Sequence, residues 1–166
     1  MNPALSIIIF TTLAGAAQGL AVILALSQLL GAGLDNAFVA RSLWVAVALA
    51  IVSLVASFFH LGCPLRAWRA AMMWRTSWMS REVIVLPIFI LPVGLWAGML
   101  TFSARPGDVT ALLPLAVIAV SALLWYCTAM IYACIRFIQE CAHPLTIVNH
   151  TVIGLAPGLV LAAPLG

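Results

Sequence analysis

Apolar stretches of twenty or more residues follow one another along this chain, with almost no ionisable side chain inside any of them. About 20 residues of helix cross the hydrocarbon core of a bilayer. Charged residues make up only 7% of the chain and its mean hydropathy is +1.23, whereas a soluble domain carries about 25% charge. A chain of this kind cannot cover itself with polar surface. The expected fold is all-α: a polytopic transmembrane helix bundle of about five spans.

The first stretch runs from Leu5 to Leu30 and is interrupted only by Gln18, Ser27, Gln28 and small residues. It has no basic leader and is too long for a signal peptide, so it reads as a retained span. Its Gly15 and Gly19 form a GxxxG pair, which lets a second helix come close. Gly31 to Asn36 reads as a turn. The second span is expected over Ser42 to Leu61, with Ala46, Ala50, Ser53 and Ser57 as a packing seam. The third, about Val83 to Ala104, contains Pro87 and Pro92, which should bend it, and a second GxxxG at Gly94 and Gly98. Arg105-Pro106-Gly107-Asp108 is a tight turn. The fourth span covers about Thr110 to Ile135, and Arg136 to Pro144 is a polar linker. The fifth starts near Leu145, where Gly154, Pro157, Gly158 and Pro164 predict a weak, bent helix. It is still apolar at Gly166, so residues 1–166 read as one transmembrane domain, expected to be incomplete at its C-terminus.

One short segment breaks the apolar pattern. His60 to Glu82, HLGCPLRAWRAAMMWRTSWMSRE, holds four of the seven arginines and three of the six tryptophans. Gly62 and Pro64 read as the end of a helix. Ser80 is the expected N-cap of the next, with Glu82 in its first turn. Arginine mixed with tryptophan suits a membrane–water boundary, where the rings sit at headgroup level and the cations reach water or phosphate. An ordinary aromatic belt would look the same. With five spans, the N-terminus, this loop and the 136–144 linker share one face. That face carries Arg66, Arg69, Arg75, Arg81 and Arg136, and the other carries Arg41 and Arg105. The asymmetry places the first face in the cytoplasm. The net charge of +3 is thus a topology signal, and no nucleic-acid partner is expected.

All three histidines, His60, His143 and His150, fall on that same face, as does Glu82; Tyr132 and Asn149 lie near its level. Ionisable groups in a membrane segment default to a functional hypothesis, but headgroup-level residues bonded to water would give the same cluster. Three functions fit. A quinone site needs an apolar cleft, hydrogen-bonding groups for two ring oxygens, and an imidazole or carboxylate to handle protons. A cytochrome-like anchor would hold a b-type haem with one or two axial histidines, for which His60 and His150 are available. A transporter would favour broken helices and polar residues at midplane, which are scarce here; a passive structural anchor needs no site at all. Cys127, Cys134 and Cys141 recur every seven residues and read as small packing residues. The four cysteines show no CxxC pairing, so no metal site is expected.

The segments MNPALSIIIFTTLAGAAQGL, HLGCPLRAWRAAMMWRTSWMSRE and IYACIRFIQECAHPLT resemble the dimethyl sulfoxide reductase membrane anchor subunit family. Members usually have eight transmembrane helices, and this chain resembles the first five. The resemblance implies an oxidoreductase complex of anaerobic respiration in the bacterial inner (cytoplasmic) membrane. The anchor would pair with an iron–sulfur subunit and a molybdopterin catalytic subunit, and would exchange electrons with quinol or quinone (menaquinone or ubiquinone) without haem. The partners, not this chain, would carry the molybdopterin and the iron–sulfur clusters. It implies quinone-binding roles for His60, which matches the histidine of the family's HLG motif, and for Glu82, the acid that opens the next helix. His150 is a third candidate read from its position. No residue of this chain is expected to act on the terminal substrate. Arg66, Arg69, Arg75 and Arg81 are candidates for docking the partner. Cys63 departs from the family, whose members often have arginine or serine there.

The arginine asymmetry makes a direct topological prediction. A membrane-impermeant thiol reagent added from outside the cell should modify Gly107→Cys and spare Ser77→Cys. The reverse pattern would invert the orientation.

Overall fold

The computed structural model describes residues 3–59, 72–102, 109–133 and 145–165. They form five helices: α1 (Pro3–Leu29), α2 (Asn36–Phe59), α3 (Trp78–Phe102), α4 (Val109–Ala133) and α5 (Leu145–Leu165). No strand occurs among the described residues. Four helices are long and apolar enough to cross a bilayer, over Ile7–Leu29, Asn36–Ser57, Trp78–Phe102 and Leu112–Ile131. The fifth carries a shorter apolar run, Thr151–Ala163.

The helix ends follow from local chemistry. After α1, Gly31 takes a left-handed conformation at φ 69°. Ala32 N–H then reaches Ser27 O at 3.0 Å and Gly31 N–H reaches Gln28 O at 3.2 Å. This pair of bonds satisfies carbonyls that the last turn leaves open. The start of α3 differs from the sequence expectation. Ser80 is not a cap; it is buried inside the first turn. Ser77 precedes the helix instead, and its carbonyl accepts from Arg81 N–H. A turn at Met73 to Thr76 feeds into it, so Trp78 and Arg81 belong to the helix rather than to a loop. Helix α3 continues through Pro87 and Pro92, and α4 through Pro114.

Successive helices alternate in direction. Helix α1 packs on α2, α4 and α5, while α3 packs on α2 and α4. The expected seam on α2 is present: Ala46, Ala50, Ser53 and Ser57 are all buried. Ser53 Oγ donates to Phe10 O at 3.0 Å, across to α1. At the far end, Trp44 Nε1 on α2 donates to Thr101 Oγ1 on α3 at 3.1 Å. Lipid tails are as apolar as leucine, so the driving force between helices here is close packing rather than exclusion of water.

The tightest packing is between α1 and α5, which run parallel. A Cβ placed on Gly19 would collide with the carbonyl oxygen of Gly154, and one on Gly158 would collide with the carbonyl carbon of Gly19. Two GxxxG pairs, Gly15–Gly19 and Gly154–Gly158, therefore face each other. The glycines that read as a weakness in α5 are its contact surface. By contrast, a Cβ on Gly98 would meet nothing within 4 Å, so the GxxxG of α3 is no such crossing.

Gly158→Ala should force the α1 and α5 backbones apart and cost at least about 1–3 kcal/mol, as overpacked cores do. Gly98→Ala should change stability by less than about 1 kcal/mol. Thermal unfolding in detergent measures both. Equal effects would remove the crossing as the reason for the glycines.

Candidate functional site

The alternation of the helices brings the start of α1, the end of α2, the start of α3, the end of α4 and the start of α5 to one end of the bundle. Glu82 is the fifth residue of α3 and only 7% exposed. Thr128 of α4 lies against it, with Thr128 Oγ1 2.5 Å from Glu82 Oε1. The same hydroxyl is 3.0 Å from Leu124 O, one turn back on α4. A threonine hydroxyl carries one proton. It can donate to a carboxylate. It can also accept from a protonated carboxyl and donate to Leu124 O. The Glu82–Thr128 pair is therefore built to keep its hydrogen bond in either protonation state.

Beside this pair is a cavity of about 200 Å³ between α1, α3, α4 and α5. Its polar lining includes Thr11, Thr12 and Gln18 from α1, Glu82 from α3, and Trp125 and Thr128 from α4. Gly15, Gly154 and Pro157 form the wall near the helix crossing. A cavity of about 150 Å³ accommodates a benzene ring, so this one has room for a single substituted ring. Glu82, Thr128 and Thr11 also line a second cavity of about 80 Å³, which Ser57 and Met79 border. The carboxyl thus stands in the wall between two spaces.

Two residues of this lining, Gln18 and Trp125, each carry a buried polar atom, Oε1 and Nε1, with no partner among the described residues. The expectations from sequence included neither residue, nor Thr128. A usable signal was present. Thr11, Ala14, Gly15 and Gln18 repeat at the i, i+3/i+4, i+7 spacing of one helix face. Trp125 lies well inside α4 rather than at an end, where belt tryptophans belong.

Of the expected quinone-binding residues, only Glu82 is described with its side chain. His60 lies outside the described residues; α2 ends at Phe59. His150 is in the second turn of α5, four residues before Gly154, and its side chain lies outside the described set. Of the docking arginines, Arg66 and Arg69 lie outside it as well. Arg75 is exposed. Arg81 is turned onto its own segment: Nε donates to Trp74 O at 2.9 Å and Nη2 to Arg75 O at 3.2 Å. Its guanidinium lies 4.0 Å above the Trp78 ring, which meets Tyr126 of α4 edge-on at 5.7 Å. Among the described residues, no group of three or more His, Cys, Asp or Glu gathers in a metal-binding arrangement. Cys127 is buried in the helix packing, as expected; Cys63, Cys134 and Cys141 are outside the described residues.

Comparison with known proteins identifies the family. The family model described as DMSO reductase anchor subunit (DmsC) matches residues 1–165, and the chain belongs to this family. A sulfite dehydrogenase subunit from Allochromatium vinosum is 47% identical over 179 aligned positions, which cover 98% of this chain and 55% of that protein. The chain thus spans about half the length of the curated relative it matches. No solved structure matches.

Thr128→Val keeps the shape of the side chain and removes the hydroxyl that Glu82 faces. Leaving a buried carboxyl without that partner should cost about 1–3 kcal/mol, seen as a lower unfolding temperature. Thr128→Ser should restore most of it. Full stability of the valine variant would mean that Glu82 has another partner.

Proposed function

We propose, from membership of the DMSO reductase anchor subunit family, that this chain exchanges electrons between the quinone pool and an iron–sulfur subunit. That subunit would in turn serve a molybdopterin catalytic subunit, and the complex would sit in a bacterial inner membrane with the arginine-rich face in the cytoplasm. The observation that carries the reading is Glu82. It is a buried carboxyl at one end of the bundle, hydrogen-bonded to Thr128, in the wall of a cavity with room for one ring.

Quinol oxidation releases two electrons and two protons and leaves the quinone; quinone reduction takes up the same. The electrons pass to or from the clusters of the partner. The protons need groups at the ring that can hold and release them. Glu82 is one such group, because Thr128 serves it in both protonation states. His60 is the second, since imidazole both donates a hydrogen bond and takes a proton near neutral pH. His150, near the start of α5, is the third candidate. Arg66, Arg69 and Arg75 are the proposed docking cations. Arg81 contributes by holding the Met73–Thr76 turn against the start of α3.

The direction of flow has two readings. A reductase of dimethyl sulfoxide draws electrons from quinol. The relative of 47% identity is named for a sulfite dehydrogenase, and oxidation of sulfite delivers electrons instead. That identity favours delivery, with sulfite as the electron source and quinone as the acceptor. Glu82 and His60 would then supply protons rather than receive them.

His60→Leu and Glu82→Gln should assemble normally and retain electron exchange with soluble redox dyes that bypass the membrane. Exchange with quinone or quinol should fall by about five- to 150-fold, the equivalent of a lost buried hydrogen bond. If both activities fall together, the residues are structural. If neither falls, quinone exchange lies elsewhere.

A further inference from the structure

We infer that Met72, Met73 and Trp74, at the turn that leads into α3, form the apolar centre of a docking surface for a peripheral protein. The matching face of that protein is an apolar pocket rimmed by carboxylates. The inference rests on the reading of this chain as the anchor of redox subunits. It adds to the proposed docking arginines the contact that they surround.

Met72, Met73 and Trp74 are three consecutive large apolar side chains, exposed by 68%, 61% and 55%. An exposed apolar side chain in the middle of a span faces lipid and needs no further partner. These three belong to none of the five helices; α3 starts only at Trp78. Arg66 and Arg69 precede them in the chain, and Arg75, Thr76 and Ser77 follow. An apolar patch with a polar rim marks a contact with a protein or a membrane. Tryptophan, methionine and arginine are residue types enriched where proteins meet.

The backbone beneath these side chains is fixed. Met73 O accepts from Thr76 N–H and Ser77 N–H at 3.0 Å each, and from Thr76 Oγ1 at 3.2 Å. Arg81 bonds the next two carbonyls, those of Trp74 and Arg75. Its guanidinium rests on Trp78, which Tyr126 of α4 braces. The carbonyls of residues 73, 74 and 75 are therefore all tied to residues 76–81, while the side chains of residues 72–74 stand outside. A fluid headgroup layer receives an apolar turn in any conformation. A protein pocket receives one shape, and a turn already held in that shape loses little freedom on docking. The fixed turn favours a protein as the occupant.

Charge describes the rim of the partner. Residues 60–81 contain four arginines and no acid. Arginine keeps its charge at every physiological pH, so carboxylates complement this segment. Arg81 is committed to the turn itself, whereas Arg75 is exposed. Exposed ion pairs contribute little each, and a few central aromatic or arginine anchors carry most of the affinity of an interface. The apolar turn therefore sets the strength of docking, and the free arginines set its register and its salt dependence.

The test uses native membranes that carry the assembled complex. Dye-linked turnover in the washed membrane pellet, against that released to the supernatant, measures how firmly the partner is held. Trp74→Ala should weaken retention by about 30-fold or more, at low and high salt alike. Arg75→Gln should weaken it by no more than about fivefold, and only at low salt. An unchanged pellet fraction for Trp74→Ala overturns the docking surface alone. Wild-type membranes without dye-linked turnover would overturn the anchor reading, and the surface with it. Met72→Cys in a Cys63→Ser background separates protein from lipid. In opened membranes, a membrane-impermeant thiol reagent should modify it only after a chaotrope has stripped the partner. Modification with the partner still bound means an uncovered turn, and no modification in either state means a turn sunk among headgroups; either result overturns the inference. If Trp74→Ala lowers the amount of this chain in the membrane, the labelling of Met72→Cys decides.

Discussion

Backbone contact between α1 and α5 at Gly19 and Gly158 is the constraint on which the rest of the site depends. In lipid, helices gain little from hiding apolar side chains, so closeness of approach decides which pairs form. Here the two backbones meet with no room for a Cβ on either glycine. That contact brings Gly154 against Trp125 of α4. The face of α1 that carries Thr11, Gly15 and Gln18 is thereby directed at α4 and at the start of α3. One crossing of small residues thus gathers polar groups that lie far apart in the sequence.

Polar groups of the bundle differ in how they are satisfied. Several bond within the protein. Ser53 bonds to the Phe10 carbonyl, Thr101 to the Ala97 carbonyl, and Ser27 to the Leu24 carbonyl. These tie a helix to itself or to its neighbour and need nothing from outside. Glu82 with Thr128 is intermediate: it is paired, yet it borders two cavities. Gln18 Oε1, Trp125 Nε1, Ser42 Oγ and Ser121 Oγ are buried with no partner among the described residues.

The boundary segment has a different logic. Arg81 satisfies two carbonyls of the preceding turn and stacks on Trp78, which in turn meets Tyr126. An arginine near the membrane surface is therefore not by itself a docking cation. This one fixes how the chain enters α3, and so where Glu82 stands one residue later. Arg75 remains exposed.

The sequence by itself determined the all-helical membrane fold, the five helices of the described residues and the seam on α2, and it singled out Glu82, which the structure buries beside a cavity. Each depends on local properties: length of apolar run, spacing of small residues, and a lone carboxyl in an apolar setting. It missed the start of α3, because Ser77 and Ser80 are equally good caps and only the packing of Ser80 against neighbouring helices decides between them. The tertiary structure alone decided which GxxxG is a crossing. Gly94–Gly98 has the same spacing as Gly15–Gly19, but only the latter meets a second pair of glycines. It alone brought Gln18, Trp125 and Thr128 to the lining of one cavity. Spacing along one helix tells which residues share a face, but not what that face meets. That answer depends on contacts between residues more than a hundred positions apart, which no local pattern encodes.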